Sequence, residues 1–300
     1  METRKKNIGI FGIGAIGSII SLELHSNLEQ NALFFFNRSP REAIKLKKAN
    51  SEIELDIQLS SSKAFIPELD WIIICLKQYQ IQNALSQIKN LIHSQTKLAI
   101  VRNGLRLKED YLRFCKEENI IECSIDCSVQ YKKSNSYEYL KDPVISVAKS
   151  KLGLEFSSLF KFSNCRIKQL KDFHSMAWKK LCESSALGAV LCLREESCWV
   201  FKDLKNQILY SDILAEGIAV AREDGAFIES DFMDTSLKKV LSYPENKGSS
   251  MLTDFLMGRP VELSAKNKLI SEIGEIYGIS TPVNDRLTRI IEAKSMLSEF

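Results

Sequence analysis

The sequence predicts an α/β half followed by an all-helical half. Three observations carry this reading. The chain opens on an apolar run that passes directly into a glycine turn, Ile8-Gly9-Ile10-Phe11-Gly12-Ile13-Gly14-Ala15-Ile16-Gly17. Further continuous apolar runs stand at 71–76 and 98–101, as strands buried on both faces of a parallel sheet require. From about Asp172 the apolar residues change to helical spacing.

The first strand, turn and helix come first. Gly12-x-Gly14-x-x-Gly17 follows the strand, and Ile19, Ile20, Leu22 and Leu24 continue as the apolar face of a helix. This order suits a dinucleotide pyrophosphate. Gly12 permits the tight turn, Gly14 lets backbone approach phosphate, and Gly17 lets the helix lie close to the strand. The helix start, with Ala15 and Ile16, offers free N–H groups and partial positive charge to an anion. Glycines also mark ordinary turns, so the strand before and the helix after are what give the motif meaning. The expectation is a Rossmann-type doubly wound sheet.

The second strand is expected at Leu33-Phe34-Phe35-Phe36, ending in Asn37-Arg38-Ser39-Pro40. No Asp or Glu stands there to take ribose hydroxyls, whereas the Arg38 guanidinium suits a 2′-phosphate. NADPH is therefore the expected cofactor, against the plain alternative of a solvated surface arginine. The runs at 71–76 and 98–101 lead into Lys77 and Asn103-Gly104, at strand ends where open α/β sheets bind ligands. Residues 120–130 and 143–147 read as later strands, separated by a polar stretch at 131–142.

A domain boundary is expected near 168–172, dividing the chain into a cofactor-binding domain at 1–170 and a helical substrate or catalytic domain at 171–300. Helices are expected over 173–193 and over 204–224, the latter stopped by Gly225. Another starts at Thr281-Pro282, an N-cap followed by proline at the first helical position. The domains are expected to pack closely, with the active site in the cleft.

Composition sets bounds. The chain has 300 residues, 45% hydrophobic and 26% charged, with a net charge of +3 spread without a long basic run. That supports two cores and offers no nucleic-acid footprint. No apolar run is long enough to span a bilayer and no signal-peptide pattern appears, so a cytoplasmic protein without membrane partners is expected. The eight cysteines include no C-x-x-C, and the histidines His25, His93 and His174 are far apart. No metal site is expected, and most thiols should serve as small apolar side chains.

Several residues are candidates for chemistry. Lys77 and Asn103 sit at strand ends, where each is either a ligand group or an ordinary exit residue. Lys180, Ser184 and Gly188 fall at four-residue spacing on one helix face, while Lys179 points elsewhere and reads as surface. Ser249 and Ser250 open a helix, suited to a carboxylate or to capping. Glu262, in Arg259-Pro260-Val261-Glu262, is read as opening the next helix, where its charge also suits the dipole.

In order and spacing these pieces resemble the ketopantoate reductase family (2-dehydropantoate 2-reductases). The resemblance covers nearly the whole chain. It runs through Gly12-x-Gly14-Ala15-Ile16-Gly17, Leu76-Lys77, Asn103-Gly104, Trp178-x-Lys180-Leu181, Ser249-Ser250-Met251-Leu252-x-Asp254, Arg259-x-x-Glu262 and Gly278-Ile279-x-Thr281-Pro282-x-Asn284. It implies hydride transfer from NADPH to C2 of a 2-oxo acid in pantothenate and coenzyme A synthesis. It makes Lys180 the general acid, places Glu262 on the substrate's hydroxyl side and gives Ser250 a share in its carboxylate. Lys77 and Asn103 match cofactor- and substrate-contacting positions, and Arg38 matches the 2′-phosphate arginine.

The chain departs from the family pattern at Ser184 and Gly188, where asparagines that bind substrate are common. It also carries Ser264 and Lys268 where Asp and Gly are usual, while Asn267 is kept. Losing one amide hydrogen bond costs about 1–3 kcal/mol. A gap at Gly188 would admit a bulkier substrate group. Two alternatives therefore stand beside ketopantoate reduction: a paralogous reductase of another 2-oxo acid, and a module that binds NADP(H) without catalysis. The sequence leaves oligomeric state open, and a homodimer is compatible with it.

Overall fold

The computed structural model describes residues 4–26, 29–38, 43–48, 51–56, 66–127, 129–131, 136–139 and 141–297. The chain forms two compact units, Met1–Arg102 with Arg106–Phe173, and Asn103–Leu105 with His174–Phe300.

In the first unit, in chain order, are β1 (Lys6–Phe11), α1 (Ala15–His25), β2 (Asn31–Phe36), β3 (Ala43–Lys48), β4 (Ser51–Asp56), β5 (Trp71–Ile74), α2 (Gln78–Asn90), β6 (Lys97–Val101), β7 (Ile120–Asp126), β8 (Val129–Tyr131), β9 (Ser136–Tyr139), β10 (Val144–Ala148), α3 (Lys151–Ser158) and β11 (Arg166–Leu170). Among the described residues the main sheet has seven strands in the order β11-β10-β7-β6-β5-β1-β2. The pairs from β2 through β7 are parallel, and β10 runs antiparallel to β7.

The expected doubly wound sheet is thus observed. The chain leaves β1 for β2 on one side and returns to β5 on the other, so the winding reverses between β1 and β5. Such a reversal opens a crevice at the strands' C-terminal ends. Register aligns those ends, because Phe11 pairs with both Phe36 and Ile74, and Ile74 pairs with Ile100.

Alternation along the strands divides the apolar residues between two layers. Trp71, Ile73, Ala99 and Val101 pack with Ile19, Ile20 and Phe156 of α1 and α3. Ile72, Ile74, Leu98 and Ile100 pack on the other face with Ile81, Leu85 and Ile88 of α2.

Two expectations need correction. The 120–130 run is not one strand: β7 ends at Asp126, and β8 belongs to a second sheet. The polar stretch at 131–142 is not a plain connection, because it contains β9. The second sheet has the order β4-β3-β9-β8, with β3 antiparallel to β4 and parallel to β9. Its described side chains are buried at every other position at most. Leu46, Leu55 and Tyr137 are buried, while Lys45 and Glu54 face each other across the ladder at 3.4 Å. Such strands alternate polar with apolar and show no continuous apolar run. Ser39 and Pro40, expected in the turn after β2, lie outside the described residues.

The second unit is helical: α4 (Phe173–Arg194), α5 (Leu204–Glu223), α6 (Phe232–Leu241), α7 (Ser250–Leu256), α8 (Asn267–Tyr277) and α9 (Pro282–Leu297). Both long helices fall where periodicity placed them, and α5 ends at Glu223, with Asp224 as its C-cap and Gly225 next at φ +83°. α4 is buried over much of its circumference, with Trp178, Leu181, Cys182, Ala186, Ala189, Val190 and Leu191 in the core. No helix among the described residues is long and apolar enough to cross a membrane.

Candidate active site

The turn between β1 and α1 requires its glycines for three separate reasons. Gly12 has φ +84°, a left-handed conformation that side chains rarely adopt. A Cβ on Gly17 would overlap the Gly12 carbonyl oxygen and stand 3.0 Å from the carbonyl carbon. A Cβ on Gly14 would meet nothing within 4 Å, and Gly14 is the N-cap of α1. No side chain caps this helix and no acid stands in its first turn, so the N–H groups around Ala15 and Ile16 suit an anion. An open backbone cradle leading to an uncapped helix start fits the diphosphate of a dinucleotide.

Three further candidates follow neighbouring strands. Arg38, two residues past β2, is exposed and has no ion pair among the described residues. Lys77 is the N-cap of α2 and half-buried. Its N–H donates to Gln80 Oε1 at 3.0 Å, and its carbonyl accepts from the Gln80 N–H at 2.9 Å. Asn103 follows β6, with Gly104 at φ +118°. Beside it the Arg102 side chain is held by Gln78 and, at 3.5 Å, by Asp110. Gly12, Gly14, Gly17, Arg38 and Lys77 therefore share one edge of the first unit, whereas Asn103 groups with the second unit.

In the second unit, Lys180 and Ser184 stand half-buried on one face of α4. The Ser184 hydroxyl donates to the Leu181 carbonyl at 3.2 Å. Lys179 points elsewhere, as expected, and pairs with Glu229 at 2.6 Å. The gap expected at Gly188 is filled. The Met251 side chain lies where a side chain at 188 would begin, with Cγ 3.2 Å and Cβ 3.3 Å from an ideal Cβ.

Ser249 is the N-cap of α7 and accepts from the Leu252 N–H at 3.1 Å, leaving Ser250 exposed at the first helical position. Asp254, buried, pairs with Arg259 at 3.1 Å. Glu262 is buried but does not open α8. It precedes a short 3-10 turn, Leu263–Ala265, and makes no side-chain cap there.

Sequence reasoning missed two polar hubs. Asp224 looked only like the end of a helix before Gly225. Its carboxylate accepts from Trp178 Nε1 at 2.7 Å and from the Tyr277 hydroxyl at 2.8 Å, and lies 3.3 Å from His174 Nε2. This ties α4, two residues before Lys180, to the ends of α5 and α8. Glu216, on α5, accepts from the Val283 and Asn284 N–H groups at 2.8 and 2.9 Å and from Asn284 Nδ2 at 2.8 Å. It caps α9. Thr281, expected to do so, donates instead to Ser271 Oγ at 2.9 Å, although the helix does begin at Pro282. Asn284 in turn accepts from Asn267 at 2.9 Å. Neither hub has a local signal, since each joins positions about 50–70 residues apart.

All eight cysteines are free thiols. Burial pushes those of Cys75, Cys182 and Cys192 up to about 12. They are neutral near pH 7 and poor nucleophiles, as small apolar fillers would be.

Residues 8–150 match the family Ketopantoate reductase PanE/ApbA, and residues 172–295 match Ketopantoate reductase PanE/ApbA C terminal. The 2-dehydropantoate 2-reductase of Caulobacter vibrioides is 24% identical over 290 residues, covering 97% of this chain and 99% of the relative. That of Mycobacterium tuberculosis is 24% identical, covering 96% and 97%. Among solved structures, a dimeric ketopantoate reductase from Staphylococcus aureus has a TM-score of 0.86 at 22% identity, covering 97% of this chain and 99% of that one. D-mandelate dehydrogenase, in a ternary structure with NADH and anilino(oxo)acetate, has a TM-score of 0.88 at 19% identity, covering 98% and 100%. A doubly wound sheet with a glycine turn, followed by this helical half, defines a class of oxidoreductase. The chain belongs to the ketopantoate reductase PanE/ApbA family.

Proposed function

We propose that the protein reduces 2-dehydropantoate to pantoate with NADPH, as a step of pantothenate and coenzyme A synthesis. The observation that carries this reading is the glycine turn with its uncapped helix start, in a chain whose two halves both match one family. Residues 1–170 serve as the cofactor domain and 171–300 as the substrate and catalytic domain.

Backbone at Gly12, Gly14, Ala15, Ile16 and Gly17 holds the diphosphate, and Arg38 holds the 2′-phosphate in place of an acid that would select NADH. When bound, the nicotinamide supplies a hydride to C2 of the oxo acid. Lys77 and Asn103 contact cofactor and substrate. Ser250 helps hold the carboxylate, Ser184 contributes one hydrogen bond to the substrate, and Glu262, counted with Lys180 among the catalytic residues, holds the substrate's hydroxyl side.

Lys180 is the general acid. An ordinary lysine, with a reference pKa near 10.4, is charged at neutral pH. Its ammonium stabilises negative charge growing on the C2 oxygen and then donates a proton to it. The proton moves from Nζ to that oxygen and leaves neutral lysine, which regains a proton from water. The working form is a homodimer in the cytoplasm.

A second reading, a reductase of another 2-oxo acid, is favoured by α4. Ser184 already donates to Leu181, and position 188 offers no amide. The deciding experiment follows oxidation of NADPH and NADH by the purified protein with 2-dehydropantoate and a panel of 2-oxo acids. Fast NADPH-selective turnover of 2-dehydropantoate supports the first reading. Preference for another acid supports the second. Cofactor binding with no turnover of any oxo acid refutes both and leaves a cofactor-binding module.

A further inference from the structure

Arg102 follows β6 directly and precedes Asn103. An arginine at a strand exit ordinarily turns out to water, yet this side chain is only 7% exposed. Its Nη1 donates to Gln78 Oε1 at the start of α2, and its Nη2 lies 3.5 Å from Asp110 Oδ2. Tyr111, fully buried, packs in the apolar layer that holds Ile81, Leu85 and Ile88 of α2. Burial pushes its phenol well above the ordinary range, and the positive charge of Arg102 acts against that shift. The guanidinium therefore sits at the rim of this layer, near Tyr111. All four residues belong to the first unit.

Taking a guanidinium out of water is costly, and a buried ion pair adds little stability over apolar side chains of similar size. Stability alone therefore gives a poor reason for Arg102. What the planar fork does supply is two partners held at once. It joins the end of β6 to the first turn of α2 and to the segment after β6. Apolar packing grips α2 from Ile81 onward. Lys77 lies four residues earlier, at the N-cap, and helix ends open more readily than packed interiors. The bonds between Lys77 and Gln80 shape the first turn but stay within it. The bond from Arg102 to Gln78, the next residue after Lys77, ties that turn to β6.

We propose that Arg102 is a positioning residue for cofactor binding, which acts through Gln78 to hold Lys77 at a fixed place beside the end of β6. The proposal rests on the reading of Lys77 as a cofactor contact. Arg102 itself touches no ligand in this account. Its buried charge is kept because a ligand group must be held within a fraction of an ångström by its supporting side chains.

The test is a double-mutant cycle between Arg102 and Lys77, read as NADPH dissociation constants by fluorescence titration, with thermal unfolding of each variant without cofactor. Lys77→Ala should weaken NADPH by about tenfold or more, as loss of a hydrogen bond from a charged group does. Arg102→Met should weaken it about fivefold or more in the unaltered background and less than about twofold in the Lys77→Ala background. Its Tm should stay within about 5 °C of the unaltered protein, since an apolar side chain of similar length replaces the buried charge. Arg102→Lys keeps the charge and reaches one partner, so it should recover part of the lost affinity.

Gln78→Met breaks the same link from the half-buried side, should give the same pattern, and carries the cycle if Arg102→Met does not fold. An equal fold-loss in both backgrounds would make Arg102 a packing residue only and overturn the proposal. Unchanged NADPH affinity in Arg102→Met would overturn it too. Unchanged affinity in Lys77→Ala would overturn the reading of Lys77, and the proposal with it.

Discussion

Replacing Gly14 and Gly17 separately by alanine should damage two different properties. At Gly17 the added methyl runs into backbone, the Gly12 carbonyl, and Gly12 is held at φ +84° in the turn. A flexible side chain could swing away; this carbonyl cannot. Relief requires α1 to lift from β1 by about 1 Å, and overpacking of this kind costs about 2–3 kcal/mol. For a unit of this size that is a fall in Tm of roughly 5–10 °C without cofactor. NADPH affinity should fall with it, because the N–H groups at the helix start move with the helix.

At Gly14 the methyl meets no atom within 4 Å and φ is −88°, a conformation alanine adopts freely. Stability without cofactor should be unchanged or higher by about 0.4–1 kcal/mol. The same methyl stands where the diphosphate is proposed to approach the backbone. A loss of about 1.4 kcal/mol there is tenfold in Kd. Thermal unfolding without cofactor and NADPH fluorescence titration read the two effects. A Gly14→Ala protein that binds NADPH as the unaltered protein does would refute the placement of the diphosphate. A Gly17→Ala protein with unchanged Tm would refute the packing argument.

Three further expectations concern single side chains. Lys180→Ala should lower kcat by about 10²–10⁴, the usual contribution of a general acid, with NADPH affinity nearly unchanged in fluorescence titration; equal loss of both would remove the general-acid role. Arg38→Glu should weaken NADPH far more than NADH in parallel titrations, and an unchanged preference would take Arg38 out of the phosphate site. Glu216→Ala strips the acceptor from Val283, Asn284 and the Asn284 side chain. It should cost about 2–4 kcal/mol, seen as a Tm lower by roughly 6–15 °C, and a shift under 2 °C, on the order of half a kcal/mol, would mean that α9 does not depend on this cap.

The first unit was legible where its signals are local. A strand buried on both faces needs a continuous apolar run, so β1, β5 and β6 stand out in the sequence. Gly12 and Gly17 are required by a conformation and an approach that arise within six residues. The long helices α4 and α5 read clearly because a 3.6-residue period persists over twenty residues or more. β3 and β9 read poorly, because a strand with one wet face alternates and resembles a polar loop. Their pairing joins Lys45 to Ser136 across the chain, a choice that no local pattern encodes.

The residues around the candidate catalytic groups divide in the same way. Lys180, Ser184 and Gly188 share a helix face by spacing alone, and that much follows from the order of residues. Whether Gly188 is a gap depends on Met251, more than sixty positions later, and the fold fills it. Asp224 gathers Trp178, Tyr277 and His174, and Glu216 displaces Thr281 as the cap of α9. Conformation and periodicity are properties of neighbouring residues and can be read along the chain. Hydrogen-bond partners and packed volumes belong to residues that meet only when the chain has folded.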